Sequence, residues 1–259
     1  MQLHFHKYHG AGNDFIIIDN RMNLFDKTNH ELIARLCDRR FGIGADGLML
    51  LQESAQVDFR MIYFNSDGFE GSLCGNGGRC ITAYANHLGI IGKNTRFMAT
   101  DGLHEAEVIN PGYIKLKIAD IHDIETGKDY FYLNTGSPHY VQFTDSLKDK
   151  DVYTEGRKIR YNDRFQDQGT NVNFVEFETN GLFVRTYERG VENETLACGT
   201  GIVAAAISAA LKEDSDRTSY SVRARGGNLV VSFNRKNNLF QDVWLEGPTE
   251  LVYTGDIKI

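Results

Sequence analysis

Two cysteines stand in matching local sequences that suit acid–base chemistry. Cys74 is followed by Gly-Asn-Gly and Cys198 by Gly-Thr-Gly, and each motif precedes an apolar segment with helical spacing. The start of a helix carries unpaired N–H groups and about half a unit of positive charge. A cysteine there is favoured as the thiolate, and the glycines let a carboxylate approach the backbone. The pattern therefore predicts two reactive thiols, each beside an anion-binding site.

The helix ends alone do not ionise these thiols. A cysteine with a pKa of ~8.5 is only a few per cent thiolate at neutral pH. A helix terminus contributes about 0.3–1 kcal/mol, which lowers the pKa by roughly one unit at most. A neighbouring base is therefore expected, and His139 and Glu188, each in a polar turn, are the candidates.

Two equivalent thiols suit stereoinversion, which needs a base on one face of a carbon and an acid on the other. Redox exchange calls for a different spacing, and hydrolysis needs only one nucleophile. No zinc-like spacing and no lysine in a pyridoxal-phosphate context occur, so we expect no metal and no cofactor. Helix ends and hydrogen bonds would then stabilise the carbanion. Cys37 and Cys80 fall inside predicted helices and are expected to be buried and inert.

The elements that must position these residues are short strands and three helices. Apolar spacing predicts helices at 29–39, 77–88 and 202–211, the last one buried nearly all round. Alternation and β-branched or aromatic content predict strands at 3–8, 15–19, 59–64, 105–109, 113–118, 173–177, 182–187, 229–233 and 242–246. Residues 110–112 and 179–181 are predicted hairpin turns.

The two cysteine regions also indicate an internal repeat. Each has a strand, a polar turn that contains glycine, the Cys-Gly-x-Gly motif and a helix, and the cysteines lie about half of the 259-residue chain apart. We therefore expect two halves, 1–118 with Cys74 and 119–249 with Cys198, and we expect a C-terminal strand at 250–259 to join the first half.

Composition excludes several classes of function. The formal net charge of −7 and the lack of a basic stripe argue against a nucleic-acid partner. Apolar runs are far shorter than a membrane span, and no signal peptide is recognisable, so a cytoplasmic location is expected. Residues 42–47 fit a GxGxxG pattern, but they follow a helix instead of a strand, so no dinucleotide site is expected there.

Seven short motifs, taken together, resemble the diaminopimelate epimerase family over nearly the whole chain. They are HGAGNDF at 9–15, NSDG at 65–68, CGNGGRC at 74–80, GSPH at 136–139, TN at 170–171, YERG at 187–190 and ACGTG at 197–201. The resemblance implies an α+β fold of two pseudo-symmetric halves. Each half would be a curled, mostly antiparallel sheet around a central helix, with the active site in the cleft between the halves. It also implies epimerisation of LL-diaminopimelate to the meso form for lysine and peptidoglycan synthesis, and a homodimer with Tyr253 at its interface.

The resemblance assigns roles residue by residue. Cys74 and Cys198 look like the acid–base pair, with His139 and Glu188 beside the reacting centre. The remaining substrate-binding candidates fall into two groups. The reacting carboxylate would be held by Gly75, Asn76, Gly199 and Thr200. The amine and the distal head would be read by Asn13, Asn65, Asn171 and Arg189, whose guanidinium can grip a carboxylate through two hydrogen bonds.

Two residues depart from the family pattern, and two other functions stay open. Gly47 stands where the family often has Gln, and Ser137 replaces an asparagine before Pro138; both changes concern binding of the distal end of the substrate. A proline or hydroxyproline racemase is the first alternative, although such enzymes usually have His at the position of Asn76. A non-catalytic amino-acid-binding relative is the second.

Overall fold

The computed structural model describes residues 2–71 and 73–259. The chain divides into two compact units. The first comprises the residues up to Leu116 together with Gly247–Ile259, and the second comprises Lys117–Glu246.

The first unit is a mostly antiparallel sheet with two helices. Its strands are β1 (Gln2–Gly10), β2 (Asn13–Asp19), β3 (Gly47–Gln52), β4 (Phe59–Asn65), β5 (Asn94–Ala99), β6 (Gly102–Asn110) and β7 (Tyr113–Ile118). They pair in that order, and only β2–β3 and β4–β5 are parallel. The two parallel connections contain the helices, α1 (His30–Cys37) and α2 (Gly75–His87).

The second unit repeats this arrangement. Its strands are β8 (Glu125–Thr126), β9 (Phe131–Asn134), β10 (Pro138–Phe143), β11 (Asn171–Glu178), β12 (Gly181–Glu188), β13 (Asn193–Thr195), β14 (Ser219–Ala224), β15 (Gly227–Lys236) and β16 (Leu239–Pro248). Parallel pairs β10–β11 and β12–β14 enclose α3 (Val152–Arg160) and α4 (Gly199–Glu213), and the other pairs are antiparallel.

A last strand, β17 (Glu250–Lys258), pairs antiparallel with β1 in the first unit. Each unit thus follows one scheme, in which the second parallel connection carries a cysteine and then a helix. The predicted α+β class and the two repeated halves are confirmed. In the described part of the chain, no helix combines the length and apolar character needed to cross a bilayer.

The helices that follow the two cysteines are the cores of their units. Residues 202–210 of α4 are all buried, because alanines, isoleucines and a valine cover every face, and α4 packs against β9–β12, β14 and β15. Residues 75–82 of α2 are likewise buried, and α2 packs against β1, β2, β3 and β6. Both helices begin directly after the cysteines, two or three residues before the periodic apolar pattern starts.

The other predicted elements are confirmed with shifts of a few residues, and both predicted hairpin turns connect antiparallel strands. Helix α3 was not predicted, because only Val152 and Gly156 of its nine residues are buried and the apolar stripe is short. Strands β3, β5, β8, β9, β10, β13 and β14 were not predicted either. In β3, the run of apolar residues does not alternate, because the strand is buried between β2 and β4.

Candidate active site

Cys74 and Cys198 occupy equivalent positions in the two units. Each is the residue before the first turn of its helix, with extended backbone angles of φ −91°, ψ 127° for Cys74 and φ −108°, ψ 109° for Cys198. Neither the Cys74 nor the Cys198 side chain forms a capping hydrogen bond to its own helix. Each cysteine thus stands at a helix start, as the sequence predicts, and helix starts are suited to binding anions.

A chain of amide side chains leads away from Cys74. The Cys74 thiol donates to Oδ1 of Asn13 over 3.3 Å, and Nδ2 of Asn76 donates to the same oxygen, also over 3.3 Å. Asn13 in turn donates from Nδ2 to Oδ2 of Asp46 over 2.7 Å. Asn13 is half-buried at the start of β2, the strand that precedes the first parallel connection.

Asp46 belongs to a group of four charges that balance one another. Arg39 bridges Asp14 at 2.7 Å and Asp46 at 2.8 Å, and the buried ammonium of Lys7 lies 2.6 Å from Asp14. Burial alone would raise the pKa of Asp14, but hydrogen bonds from Arg39 and Lys7 lower it well below its usual range. The Asp14 carboxyl is therefore ionised at neutral pH, and the oxygens of Asp46 accept hydrogen bonds from Asn13 and Arg39.

The hydrogen-bonded series that includes Asn13 and Asn76 ends on its other side at a buried guanidinium. Arg79 is fully buried in α2; its Nη2 donates to Oδ1 of Asn76 over 2.8 Å, and its Nη1 donates to the carbonyl of Gly75 over 3.3 Å. Burial lowers the pKa of Arg79. Among residues 2–71 and 73–259, no carboxylate forms an ion pair with it. A positive charge is thus fixed beneath the first turn of α2, next to Cys74.

Thr200 and His139, both in the second unit, lie on the Cys198 side. Sγ of Cys198 lies 3.7 Å from Oγ1 of Thr200, the second residue of α4. Nε2 of His139 lies 2.9 Å from the same hydroxyl, and Nδ1 of His139 lies 3.0 Å from Nδ2 of Asn173. The Thr200 hydroxyl thus lies between His139 and Cys198.

Burial determines the charge state of His139. His139 does not lie in the polar turn that the sequence predicts, but is completely buried in strand β10. Burial lowers its pKa from the usual 6.5 to about 3; the Asn173 hydrogen bond opposes the shift and Arg189 adds to it. The imidazole is therefore neutral at physiological pH. It serves as a fixed donor or acceptor of hydrogen bonds and not as a cation.

Glu188, Arg189 and Asn171 form the remaining polar group in this unit. Oε2 of Glu188 accepts from the hydroxyl of Thr195 over 2.8 Å. The backbone N–H of Arg189 donates to Oδ1 of Asn171 over 2.9 Å, and its Nη1 donates to the carbonyl of Gln168 over 3.0 Å. The Arg189 side chain is exposed, so its remaining donors are accessible to a carboxylate.

Comparison with known proteins identifies the family. The diaminopimelate epimerase model matches residues 5–118 and 131–252, one segment for each repeated half. The chain belongs to the diaminopimelate epimerase family. The family member of Flavobacterium psychrophilum is 49% identical over 249 residues, covering 96% of this chain and 97% of that protein. The one from Chlorobaculum tepidum is 45% identical and covers 96% of this chain and 99% of its own length.

Solved structures with the same fold are more distant in sequence. A PhzF-family phenazine biosynthesis protein from Bacillus anthracis superposes with a TM-score of 0.77 at 14% identity, covering 100% of both chains. A probable proline racemase from Agrobacterium radiobacter superposes with a TM-score of 0.71 at 13% identity, covering 99% of this chain and 93% of that one. These similarities support the fold described above for this member of the diaminopimelate epimerase family.

In this family member, the residues predicted from the sequence fall into two groups. In the first unit, hydrogen bonds or adjacency in the sequence join four of them: Asn13, Cys74, Gly75 and Asn76. Asn65 stands apart from this group: it lies exposed at the end of β4, where its backbone closes a turn with Gly68 and Phe69. In the second unit, His139 and Thr200 join Cys198, and Asn171 joins Arg189, while Gly199 is the buried first residue of α4. The catalytic and binding roles of these residues stay predictions.

The structure leaves no room for a side chain at position 47. Gly47 lies between Phe15 and Asn65 in the sheet, and a Cβ atom on it would stand 2.5 Å from Cε2 of Tyr63 and 2.6 Å from the carbonyl oxygen of Phe64. The Tyr63 ring thus occupies the space into which a side chain at position 47 would extend. Ser137, at the other departure, is half-buried in the turn that leads into β10.

Two site residues were missed in the sequence, and each touches a predicted residue. Arg79 is the only charged residue among the eight buried residues that open α2, which could have marked it as functional. Asn173 had no such signal, because it contacts His139 through the pairing of β10 with β11. No group of three or more His, Cys, Asp or Glu within the described residues has a metal-binding arrangement.

Proposed function

We propose that this chain is a diaminopimelate epimerase that interconverts LL-2,6-diaminopimelate and the meso form by proton transfer between two thiols. The observation that carries the proposal is the equivalence of Cys74 and Cys198, each at the start of a buried helix in one of two repeated units. Membership of the diaminopimelate epimerase family supports the choice of substrate, a precursor of lysine and peptidoglycan.

In this mechanism, one cysteine removes the α-proton as a thiolate and the other delivers a proton to the opposite face as a thiol. The reaction needs no net proton uptake, and the two cysteines exchange roles in the reverse direction. The negative charge of the substrate carboxylate and of the carbanion would be stabilised by the first N–H groups of α2 and α4, at Gly75, Asn76, Gly199 and Thr200.

The other predicted residues would bind the rest of the substrate. Arg189 has an exposed guanidinium that can hold the distal carboxylate, and Glu188 next to it can pair with an ammonium group. We assign Asn13, Asn65 and Asn171 to the amine and distal head. Because His139 is buried and neutral, its proposed part is to orient the Thr200 hydroxyl against Cys198.

Loss of either reactive thiol tests this mechanism. Cys74→Ala and Cys198→Ala should each lower turnover of LL-diaminopimelate by a factor on the order of 10³ or more, because each removes one proton-transfer group. Cys37→Ala is the matched control: burial raises the pKa of Cys37 to about 12, so this thiol stays protonated and turnover should be unchanged. Near-normal turnover in either of the first two variants would contradict the two-thiol mechanism.

The assay itself separates this proposal from its alternatives. Purified protein with neither pyridoxal phosphate nor metal added should turn over LL-diaminopimelate, and in deuterated water the product should carry deuterium at the α-carbon. Proline should not react. Turnover of proline alone would favour a proline racemase, and binding of diaminopimelate without deuterium exchange would favour a non-catalytic relative.

We further propose that the enzyme works in the cytoplasm as a homodimer. The support for a dimer is an apolar, exposed stretch of the edge strand β17, at Leu251, Val252 and Tyr253, with exposed fractions of 37%, 50% and 44%. An edge strand with apolar side chains is suited to pairing with a second copy.

A further inference from the structure

The turn that follows β12 contains an acidic residue, Glu192, whose contacts surround Arg189. We propose that Glu192 and Arg160 are positioning residues, which fix the Arg189 guanidinium so that it can grip the second carboxylate of the substrate. The inference rests on the function proposed above, in which Arg189 binds the distal carboxylate, and it names the residues on which that grip depends. All of these residues lie within the second unit.

Glu192 ends this turn in a backbone conformation that glycine adopts more readily. Its φ angle is +55°, in the left-handed region, where residues with side chains are uncommon. Its N–H donates to the carbonyl of Glu188 over 2.8 Å, which closes the turn around Arg189 and Gly190. A glutamate at a position that suits glycine indicates that the side chain has a role of its own.

The Glu192 carboxylate binds the turn on both sides of the predicted site residues. Oε1 accepts from the N–H of Gly190 over 3.1 Å, and Oε2 accepts from the hydroxyl of Tyr187 over 3.2 Å. These two partners flank residues 188–189, so the carboxylate spans the segment that is proposed to bind substrate. Burial alone would raise the pKa of Glu192, but hydrogen bonds from its neighbours and the charge of Arg160 lower it below its usual value. The group is therefore an anion at neutral pH.

Arg160, the last residue of α3, connects this turn to the loop before β11. Its Nε lies 3.4 Å from Oε1 of Glu192, and the two side chains of this ion pair are only 12% and 29% exposed. Its Nη1 donates to the carbonyls of Phe165 and Gln166 over 3.1 Å and 3.3 Å. One guanidinium thus ties the turn at 189–192 to the loop at 165–170.

Arg189 contacts both of the segments that Arg160 ties together. Its backbone N–H donates to Oδ1 of Asn171 over 2.9 Å, and its Nη1 donates to the carbonyl of Gln168 over 3.0 Å. A Cβ atom on Gly169 would stand 2.6 Å from Cδ of Arg189 and 2.7 Å from Cζ of Arg160, so both arginines pack against this glycine. A shift of the turn relative to the loop would therefore displace the Arg189 guanidinium.

The charges of these residues explain why position 192 carries an acid. Two arginines that adjoin at Gly169 repel each other, and the ion pair with Glu192 offsets the charge of Arg160. Arg189, the exposed arginine of the two, is then held in place without strong repulsion. Because a planar guanidinium binds a carboxylate best in one orientation, holding Arg189 still favours a substrate with a second carboxylate.

Glu192→Gly tests this role, because it removes the carboxylate without straining the backbone. Glycine favours the left-handed conformation, so the turn can still form. The KM for LL-diaminopimelate should rise by about 10-fold or more, since the charged contact to the distal carboxylate is weakened. The kcat should stay within about threefold, because the distal carboxylate takes no part in proton transfer. An unchanged KM would overturn the inference, since a role confined to the backbone turn is met by glycine.

Asp214→Gly is the matched control. Asp214 is also acidic, also has a left-handed backbone, with φ of +45°, and also pairs with an arginine, Arg235, over 3.2 Å. It lies at the C-terminal end of α4, away from the turn at 189–192. Asp214→Gly should therefore leave the KM unchanged, and an equal rise of KM in both variants would contradict the positioning role of Glu192.

A double-mutant cycle shows whether Glu192 and Arg160 act through Arg189. Arg189→Ala alone should raise the KM by about 10- to 100-fold, and Arg160→Met alone should raise it about as much as Glu192→Gly. Either change added to Arg189→Ala should alter the KM by less than about twofold, because no guanidinium is left to position. If Glu192→Gly raises the KM equally with and without Arg189, it acts independently of Arg189 and the inference is wrong.

Limited proteolysis follows the same contacts without substrate. Trypsin cleaves after arginine, and the Arg189–Gly190 bond lies in the turn that Glu192 holds. Under native conditions, Glu192→Gly should raise the rate of cleavage at this bond by about fivefold or more, because the turn opens more often. Asp214→Gly should leave this rate unchanged. Cleavage of Glu192→Gly as slow as that of the wild type would contradict the role of Glu192 in holding Arg189.

The two kinds of measurement separate this inference from the proposed function. Turnover of LL-diaminopimelate by the wild type, with an unchanged KM in Glu192→Gly, would reject only the positioning role. A wild type that does not turn over LL-diaminopimelate would reject the proposed function, and the cleavage rates would then decide whether Glu192 holds Arg189.

Discussion

His139 shows how one buried residue makes the folded protein sensitive to acid. Its pKa is about 3 in the folded state and 6.5 when exposed, so the folded protein resists protonation that the unfolded chain accepts. The stability gained from the neutral histidine is complete above pH 6.5 and is lost as the pH falls towards 3. The loss is about 1.4 kcal/mol per pH unit, or roughly 3 kcal/mol between pH 6.5 and 4.

We therefore expect His139→Gln to flatten the pH dependence of unfolding. In urea unfolding at pH 6.5 and at pH 4, the difference in unfolding free energy between wild type and variant should shrink by roughly 3 kcal/mol at the lower pH. His122→Gln is the control for replacing a histidine at an exposed site, since the His122 side chain is 71% exposed. If the difference in unfolding free energy between wild type and His139→Gln stays constant with pH, His139 is protonated in the folded state.

At the scale of the element, the glycine third after each cysteine differs between α2 and α4. A Cβ atom on Gly201 would collide with Oδ1 of Asn173, the amide that orients His139, whereas a Cβ on Gly77 would stand 3.2 Å from the flexible Sδ of Met49. In a helix, alanine is otherwise more favourable than glycine by about 0.8–1.0 kcal/mol. The first turn of α4 thus needs glycine so that Asn173 can approach.

Gly201→Ala should therefore impair catalysis while Gly77→Ala does not. Displacing Asn173 disturbs His139 and Thr200, so kcat should fall by a factor on the order of 10 or more in Gly201→Ala. The matched variant Gly77→Ala changes the same position of the first repeat and should keep kcat within about twofold. Circular dichroism on both variants checks that the helices persist. Equal kcat values in the two variants would argue against the close approach.

The same two helices show what could be predicted from the sequence. Glycines after Cys74 and Cys198 and the apolar segments beyond them were enough to predict buried helices that begin at the cysteines. The polar chains were not predictable, because they join segments that are distant in the sequence. Asn13 reaches Cys74 where α2 packs against β2, and Asn173 reaches His139 through the pairing of β11 with β10. Strand β3 and helix α3 escaped prediction because one is apolar on both faces and the other almost polar throughout.

At the scale of the whole chain, the same order of strands and helices occurs in both units, with different side chains near the cysteines. In both units, the strand before the first parallel connection supplies a polar residue near the cysteine of the second connection, Asn13 from β2 and His139 from β10. The repeat thus accounts for two reactive positions. The different residues give Cys74 the Asn13 amide as a neighbour and Cys198 the Thr200 hydroxyl.

The edge strand β17 leads to a prediction about assembly. It pairs with β1 from Gln2↔Lys258 to His9↔Glu250, and it carries the exposed Leu251, Val252 and Tyr253. Pairing with a second copy would cover these side chains, so we expect sedimentation equilibrium to give a dimer near 58 kDa, about twice the 29.2 kDa of the chain.

Tyr253→Ala should weaken this dimer, because an aromatic anchor near the centre of an interface commonly contributes about 2 kcal/mol or more. That corresponds to a dissociation constant raised by roughly 30-fold or more. Tyr153→Ala is the matched control: Tyr153 is 46% exposed against 44% for Tyr253, but it lies on α3 in the second unit. A dimer weakened equally by both substitutions would place the interface elsewhere, and a monomeric wild type would exclude it.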